Sequence, residues 1–242
     1  MFADDIILLS ITVTDLQHMF DICAKLFKEL DLPINVSKCH CMRIGPRSLN
    51  FCSNLTIHGI TINWVEDITF LGVKFCNSKT FKCNWDDVKK TFYCRTNIIL
   101  GRLSTSAPAN VLLKLINAHA VPNLLYGISA TSLSENETKC FSHAYNSIFA
   151  KIFKTFDNNV ITNCQYFSGY LPFEMLYDLQ RYKFLHKLHK TACLTDKSVI
   201  DRNDYRDFLL LQFKYAFSLN DSDLVVKHKV WRSFKNRIDS IN

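Results

Sequence analysis

Apolar residues recur in two rhythms along this chain, and the rhythm changes near residue 84. Before it, short runs dominate. Ile6–Leu9 is an unbroken apolar run set between Asp4-Asp5 and Ser10, which predicts a short buried strand. Leu16, Met19, Phe20, Cys23, Phe27 and Leu30 then fall at helical spacing. Thr14-Asp15-Leu16-Gln17 matches a capping box at the start of that helix, and Pro33 ends it. Cys39 to Gly45 alternates as a strand does and closes at Gly45-Pro46. Leu55 to Ile62 and Ile68 to Phe75 are two β-rich runs, separated by polar residues around Glu66-Asp67.

From Asn84 onward the spacing is helical. Asn84 or Asp86 caps a helix to about Leu103, and a second runs from about Ala107 to His119 with Pro108 in its first turn. Val121-Pro122 breaks it. Ser134-Glu135-Asn136-Glu137 is a second capping box and opens a helix to about Phe153. Three more helices follow, over roughly Pro172–Cys193, Asp204–Ser218 and Ser222–Ile238. The predicted class is α+β, with short antiparallel strands and one helix over residues 1–82, a helical bundle over 84–155 and a helical extension over 156–242.

The chain of 242 residues is 48% hydrophobic and 21% charged, which excludes a disordered polymer. No apolar run approaches the roughly 20 residues of a membrane span. A net charge of +7, with 19 Phe and 9 Tyr, suits a polyanion whose bases stack on rings. The ten cysteines form no C-x-x-C pair and follow no signal-peptide pattern, so they read as reduced thiols in an intracellular, reducing compartment, nuclear or cytoplasmic. In Cys39-His40-Cys41, alternation in a strand sends His40 to the face opposite the two cysteines, which argues against a metal site. Arg181, Lys183, Lys187 and Lys190, mixed with Tyr182 and Phe184, read as a solvated basic helix face or as a nucleic-acid-facing one. His186, His189 and Cys193 share a helix face, but zinc needs four ligands and no fourth is apparent.

The chemistry centres on Asp4 and Asp5. Two adjacent carboxylates stay ionised together when a cation compensates them, and Mg²⁺ prefers such oxygens. Phe2-Ala3-Asp4-Asp5 followed by an aliphatic strand resembles the catalytic turn of LINE-type (non-LTR) retrotransposon reverse transcriptases. The resemblance continues in order through Asn35-Val36-Ser37-Lys38, Phe70-Leu71-Gly72-Val73 and Val121-Pro122-Asn123-Leu124-Leu125-Tyr126-Gly127, and covers about residues 1–153.

That resemblance implies a partial polymerase palm, a helical thumb and a helical C-terminal extension. It implies RNA-directed DNA synthesis by two-metal phosphoryl transfer, with an RNA template, a DNA primer, a deoxynucleoside triphosphate and Mg²⁺. Asp4 would ligate the metals, with Asp5 as supporting ligand. Lys38 would neutralise the leaving pyrophosphate, or else is a solvated loop lysine. Phe70, Leu71 and Gly72 would form the primer-grip hairpin, where Gly72 admits a nucleic-acid backbone or makes a bulge. Lys89, Lys90, Arg95 and Arg102 would face nucleic acid from the first thumb helix. The family's third carboxylate and its fingers have no counterpart here, so the expectation is a polymerase portion inactive alone. The alternatives are a non-catalytic helical nucleic-acid-binding module and a group II intron maturase or telomerase relative.

Overall fold

The polar and apolar spacing is realised as an α+β molecule; the computed structural model describes residues 5–57, 59–103, 106–192 and 201–240. The chain separates into two units, Met1–Trp85 and Asp86–Asn242.

In the first unit, helix α1 spans Val13–Glu29. Its cap is Thr12, not Thr14: the Thr12 hydroxyl oxygen accepts from the Asp15 backbone N–H at 3.0 Å. Val13, Leu16, Phe20 and Ala24 turn inward, while Met19 and Leu30 of the predicted stripe face solvent. The helix stops at Leu30, three residues before Pro33, and Asp31 then adopts a left-handed φ of 54°. The run Leu55–Ile62 is not one strand. It folds into a hairpin, β1 (Leu55–Ile57) against β2 (Ile60–Ile62), around a left-handed Gly59. A second hairpin pairs β3 (Asp67–Phe70) with β4 (Val73–Cys76), and β5 (Lys82–Asn84) joins it. Leu55, Ile57, Ile62 and Cys41 form the small core under α1.

Two predicted strands are corrected. Cys39 to Gly45 makes a single parallel bridge, Cys41 to Trp64, rather than a ladder. Its alternation still holds, with Cys41 buried and His40 exposed. Residues 6–9 form no strand; Ile6, Ile7 and Leu9 are exposed. The described strands of this unit pair only with one another, so the run has no ladder to satisfy its backbone groups.

The second unit is helical: α2 (Asp86–Leu103), α3 (Ala109–His119), α4 (Val121–Leu125), α5 (Glu135–Phe153), α6 (Asn158–Phe167), α7 (Phe173–Ala192), α8 (Arg202–Tyr215) and α9 (Asp223–Asp239). The Ser134–Glu137 capping box forms as the spacing predicts. Pro122 sits in the first turn of α4, where its missing N–H costs nothing. Helix α6 lies in a stretch with no strong periodic signal, and α5, α6 and α7 pack together on both sides of residue 155. Helix α7 has no single apolar face, because the Ile128–Ala130 turn, α5, α8 and α9 pack against it from several sides. Its Leu179, Tyr182 and Leu185 meet Phe208, Val230 and Phe234 in one core.

No single helix among the described residues is long and apolar enough to cross a membrane. The segments Ala109–His119 and Val121–Ala130 reach that length together, but they bend by 42°. All described cysteines are free thiols.

Candidate nucleic-acid interface

Helices α2 and α5 each carry a row of residues at spacings of three and four, and the two rows enclose a shallow groove of about 540 Å³. Helix α2 contributes Asp86, Lys89, Lys90 and Tyr93; α5 contributes Lys139, Cys140 and His143. From Asp86 to Tyr93 the α2 row rises about 10 Å, which is about three phosphate steps of one strand at roughly 3.4 Å each. Three lysines against one aspartate leave the groove a formal charge of +2.

Lys89 pairs with Asp86 at 2.9 Å, so part of its charge is already compensated. Lys90, Lys139 and His143 are exposed. Burial pushes the Tyr93 hydroxyl up from its ordinary value, with Lys89 pulling the other way, so the ring keeps a neutral O–H donor. The α2–α5 spacing is held by Lys151, whose Nζ donates to Asn97 Oδ1 at 2.8 Å. The arrangement offers ammonium groups for phosphates and a tyrosine for a sugar or base.

The four predicted basic residues of α2 divide into two faces. At about 100° per residue, Lys89, Lys90 and Tyr93 fall within a third of the circumference, while Arg95 and Arg102 fall opposite. Arg95 donates from Nη1 to the carbonyl of His119 at 3.1 Å, tying α2 to the end of α3. Arg102 is exposed in the last turn. Spacing along α2 alone could have shown this split; Lys139 and His143, some fifty residues on, had no such signal.

The hairpin residues Phe70, Leu71 and Gly72 sit at the β3–β4 tip. Leu71 has φ 49° and Gly72 φ 78°, so both central residues of the two-residue turn are left-handed, as a type I′ turn requires. The turn itself is sufficient reason for Gly72, ahead of either a bulge or a close backbone approach.

Of the proposed catalytic pair, Asp4 lies outside the described residues, as do Met1, Phe2 and Ala3. Asp5 is exposed and outside any helix or strand. Lys38 ends an exposed 3-10 turn, Val36–Lys38. Among the described residues no group of three or more His, Cys, Asp or Glu side chains could hold a metal ion. The described donors therefore do not furnish a Mg²⁺ site.

The basic stretch of α7 is not one face. Arg181 and Tyr182 are buried, and His186 Nε2 lies 3.0 Å from the carbonyl oxygen of Leu219. His189 stacks on Phe208, while Cys193 lies outside the described residues. Comparisons with protein-family models, curated proteins and solved structures returned no significant match.

Proposed function

We propose that this chain is a nucleic-acid-binding portion of a LINE-type reverse transcriptase, gripping an RNA–DNA duplex along the α2–α5 groove. The observation that carries the binding role is the convergence of Lys89, Lys90 and Lys139 beside Tyr93. The polymerase assignment is supported by the order of the Asp4-Asp5, Asn35–Lys38, Phe70–Val73 and Val121–Gly127 motifs along the sequence. In the intact enzyme Asp4 and Asp5 would hold Mg²⁺, and Lys38 would stand near the triphosphate. Two carboxylates retain Mg²⁺ less well than three, so these 242 residues alone are expected to bind a primed template without extending it.

A second reading, a helical module that binds nucleic acid without catalysis, is favoured by the groove lying wholly within the Asp86–Asn242 unit. Both readings are tested by fluorescence anisotropy with a short RNA–DNA hybrid over a salt series, alongside primer extension with Mg²⁺. Each of K89A, K90A and K139A should lower the salt slope by about one, and R102A should change it less. Binding that survives the triple alanine variant would rule out the groove as the binding surface. Extension abolished by D4N would restore catalysis to this chain; binding without extension is the outcome both readings expect.

A further inference from the structure

A second recess, of about 240 Å³, lies in the first unit, between the segment around residues 43–54, the bridge residue Trp64 with Val65, and Asn77 just after β4. It is smaller than the roughly 300–1,000 Å³ of a drug-sized pocket, and suits one planar ring. Its walls are unusual in combining two aromatic rings, a guanidinium and an unsatisfied acceptor. Phe51 stands 95% exposed at the rim, so its ring face is open to a ligand. Trp64 commits its indole N–H to the carbonyl of Ser53 at 3.2 Å, so its ring lines the recess with its polar handle already used.

Asn77 fixes the chemistry. Its Nδ2 donates to the carbonyl of the buried Ser48 at 3.2 Å, which sets the orientation of the amide. Its Oδ1 is buried and meets no donor among the described residues. A buried acceptor without a donor is unfavourable, and a ligand carrying an N–H would relieve it. Arg43 lines the same recess, and its Nη1 makes only a long contact of 3.5 Å to the Asn50 carbonyl, leaving its fork under-used.

We propose that this recess binds a single nucleobase, guanine by preference, stacked on Phe51 and Trp64. Guanine places acceptors O6 and N7 beside a donor N1–H. Arg43 matches the acceptors in the manner of arginine on a guanine edge, and Asn77 Oδ1 accepts from the N–H. The stacking rings serve any base, and the polar pair adds the preference. The base could belong to a single strand or to a free nucleotide; the two share the same ring.

The test uses the full chain with two probes, a single-stranded GU-repeat RNA and GMP, read by quenching of tryptophan fluorescence. Wild type should be quenched, and F51A and R43A should each weaken binding about tenfold. Phe51 is exposed, so F51A leaves the fold intact, checked by circular dichroism. An RNA that binds tighter than GMP and loses affinity in F51A identifies a strand as the source, and equal affinities that both fall in F51A identify a free nucleotide; both support the pocket. Quenching by neither probe, or quenching unchanged in both variants, overturns it. A polyuridine strand binding as tightly as the GU repeat overturns the guanine preference.

Discussion

Arg181 on α7 donates to Asp204 on α8 at 2.6 Å while only 1% of Arg181 is exposed. The same Nη2 reaches Asp207 at 3.0 Å and Ser132 Oγ at 3.0 Å, and Nη1 donates to the Ser129 carbonyl at 3.1 Å. One guanidinium thus joins α7 to α8 and to the turn before α5. Its aspartates keep about a quarter to a third of their side chains in water, so the pairing is lopsided: the cation is buried and the anions are not.

Removing the cation from such a pair costs more than the pair contributes. Arg181→Met should destabilise the second unit by about 3 kcal/mol, at the lower end for a broken buried pair because water still reaches both aspartates. That corresponds to a fall in Tm of about 6–12 °C. Thermal melts of Arg181→Met and of a triple variant adding D204N and D207N should show partial recovery in the triple. A fall under 2 °C would make the cluster ornamental.

The two units should open at different rates. Ile6, Ile7 and Leu9 are exposed without a ladder, and no residue of α1 is fully buried. In the second unit Ala144, Ile148, Tyr182 and Val230 are almost wholly excluded from water. Hydrogen exchange should find the amides of Asp5–Ile11 unprotected, α1 intermediate, and the centres of α5, α7 and α9 slowest. Equal protection of residues 5–11 and α7 would mean that the apolar run is paired in solution.

How much of this was legible follows from distance along the chain. The Ser134 cap was readable because Glu137 is three residues away. The start of α1 was misread because Thr12–Asp15 and Thr14–Gln17 are overlapping boxes. The fold uses the first and sends Gln17 elsewhere: its amide brackets Thr56, donating to the carbonyl at 2.8 Å and accepting from the N–H at 2.9 Å. Burial of Arg181 was illegible, since its partners lie 23 and 26 residues on. So was α6, whose only buried residues are Ile161 and Gln165 and which is held by its neighbours rather than by its own pattern. The groove was half legible: Lys89 and Lys90 came from charge, while Lys139 came from packing. Leu55–Ile62 was legible only as a β-rich run; that it folds back on itself at Gly59 came from the structure.

The tip of the β3–β4 hairpin stores strain that can be released. Leu71 holds φ 49°, a region that costs a side-chain-bearing residue about 1–2 kcal/mol. Leu71→Asn creates the Asn-Gly pair that type I′ turns prefer, and should stabilise the first unit by about 1 kcal/mol. Gly72→Ala should destabilise it by a similar amount. Urea melts decide the folding effect, and duplex binding by the same variants decides the grip. If Leu71→Asn raises stability and leaves binding unchanged, the tip is a turn and not a nucleic-acid contact.

Cys41 gives the first unit a dependence on alkaline pH. Its thiol lies in the small core with Leu55, Ile57 and Ile62, and burial pushes its pKa from 9.0 up to about 11, helped by nearby Cys39 and Cys52. Below pH 9 the thiol is protonated in both folded and unfolded chains, and this contribution to stability is fully present. Between pH 9 and about 11 the unfolded chain gives up the proton while the folded chain keeps it. The folded state then binds more protons, so stability must fall as pH rises through that window. Urea melts followed by tryptophan fluorescence should show this loss, and Cys41→Ala should reduce its slope. The same burial predicts reactivity, because only the thiolate is nucleophilic. With iodoacetamide at pH 8 the exposed Cys94 and Cys140 should label in the native protein while Cys41 stays unmodified. Labelling of Cys41 at the rate of Cys94 would mean that the core beneath α1 opens readily, and the alkaline loss would then have to arise elsewhere.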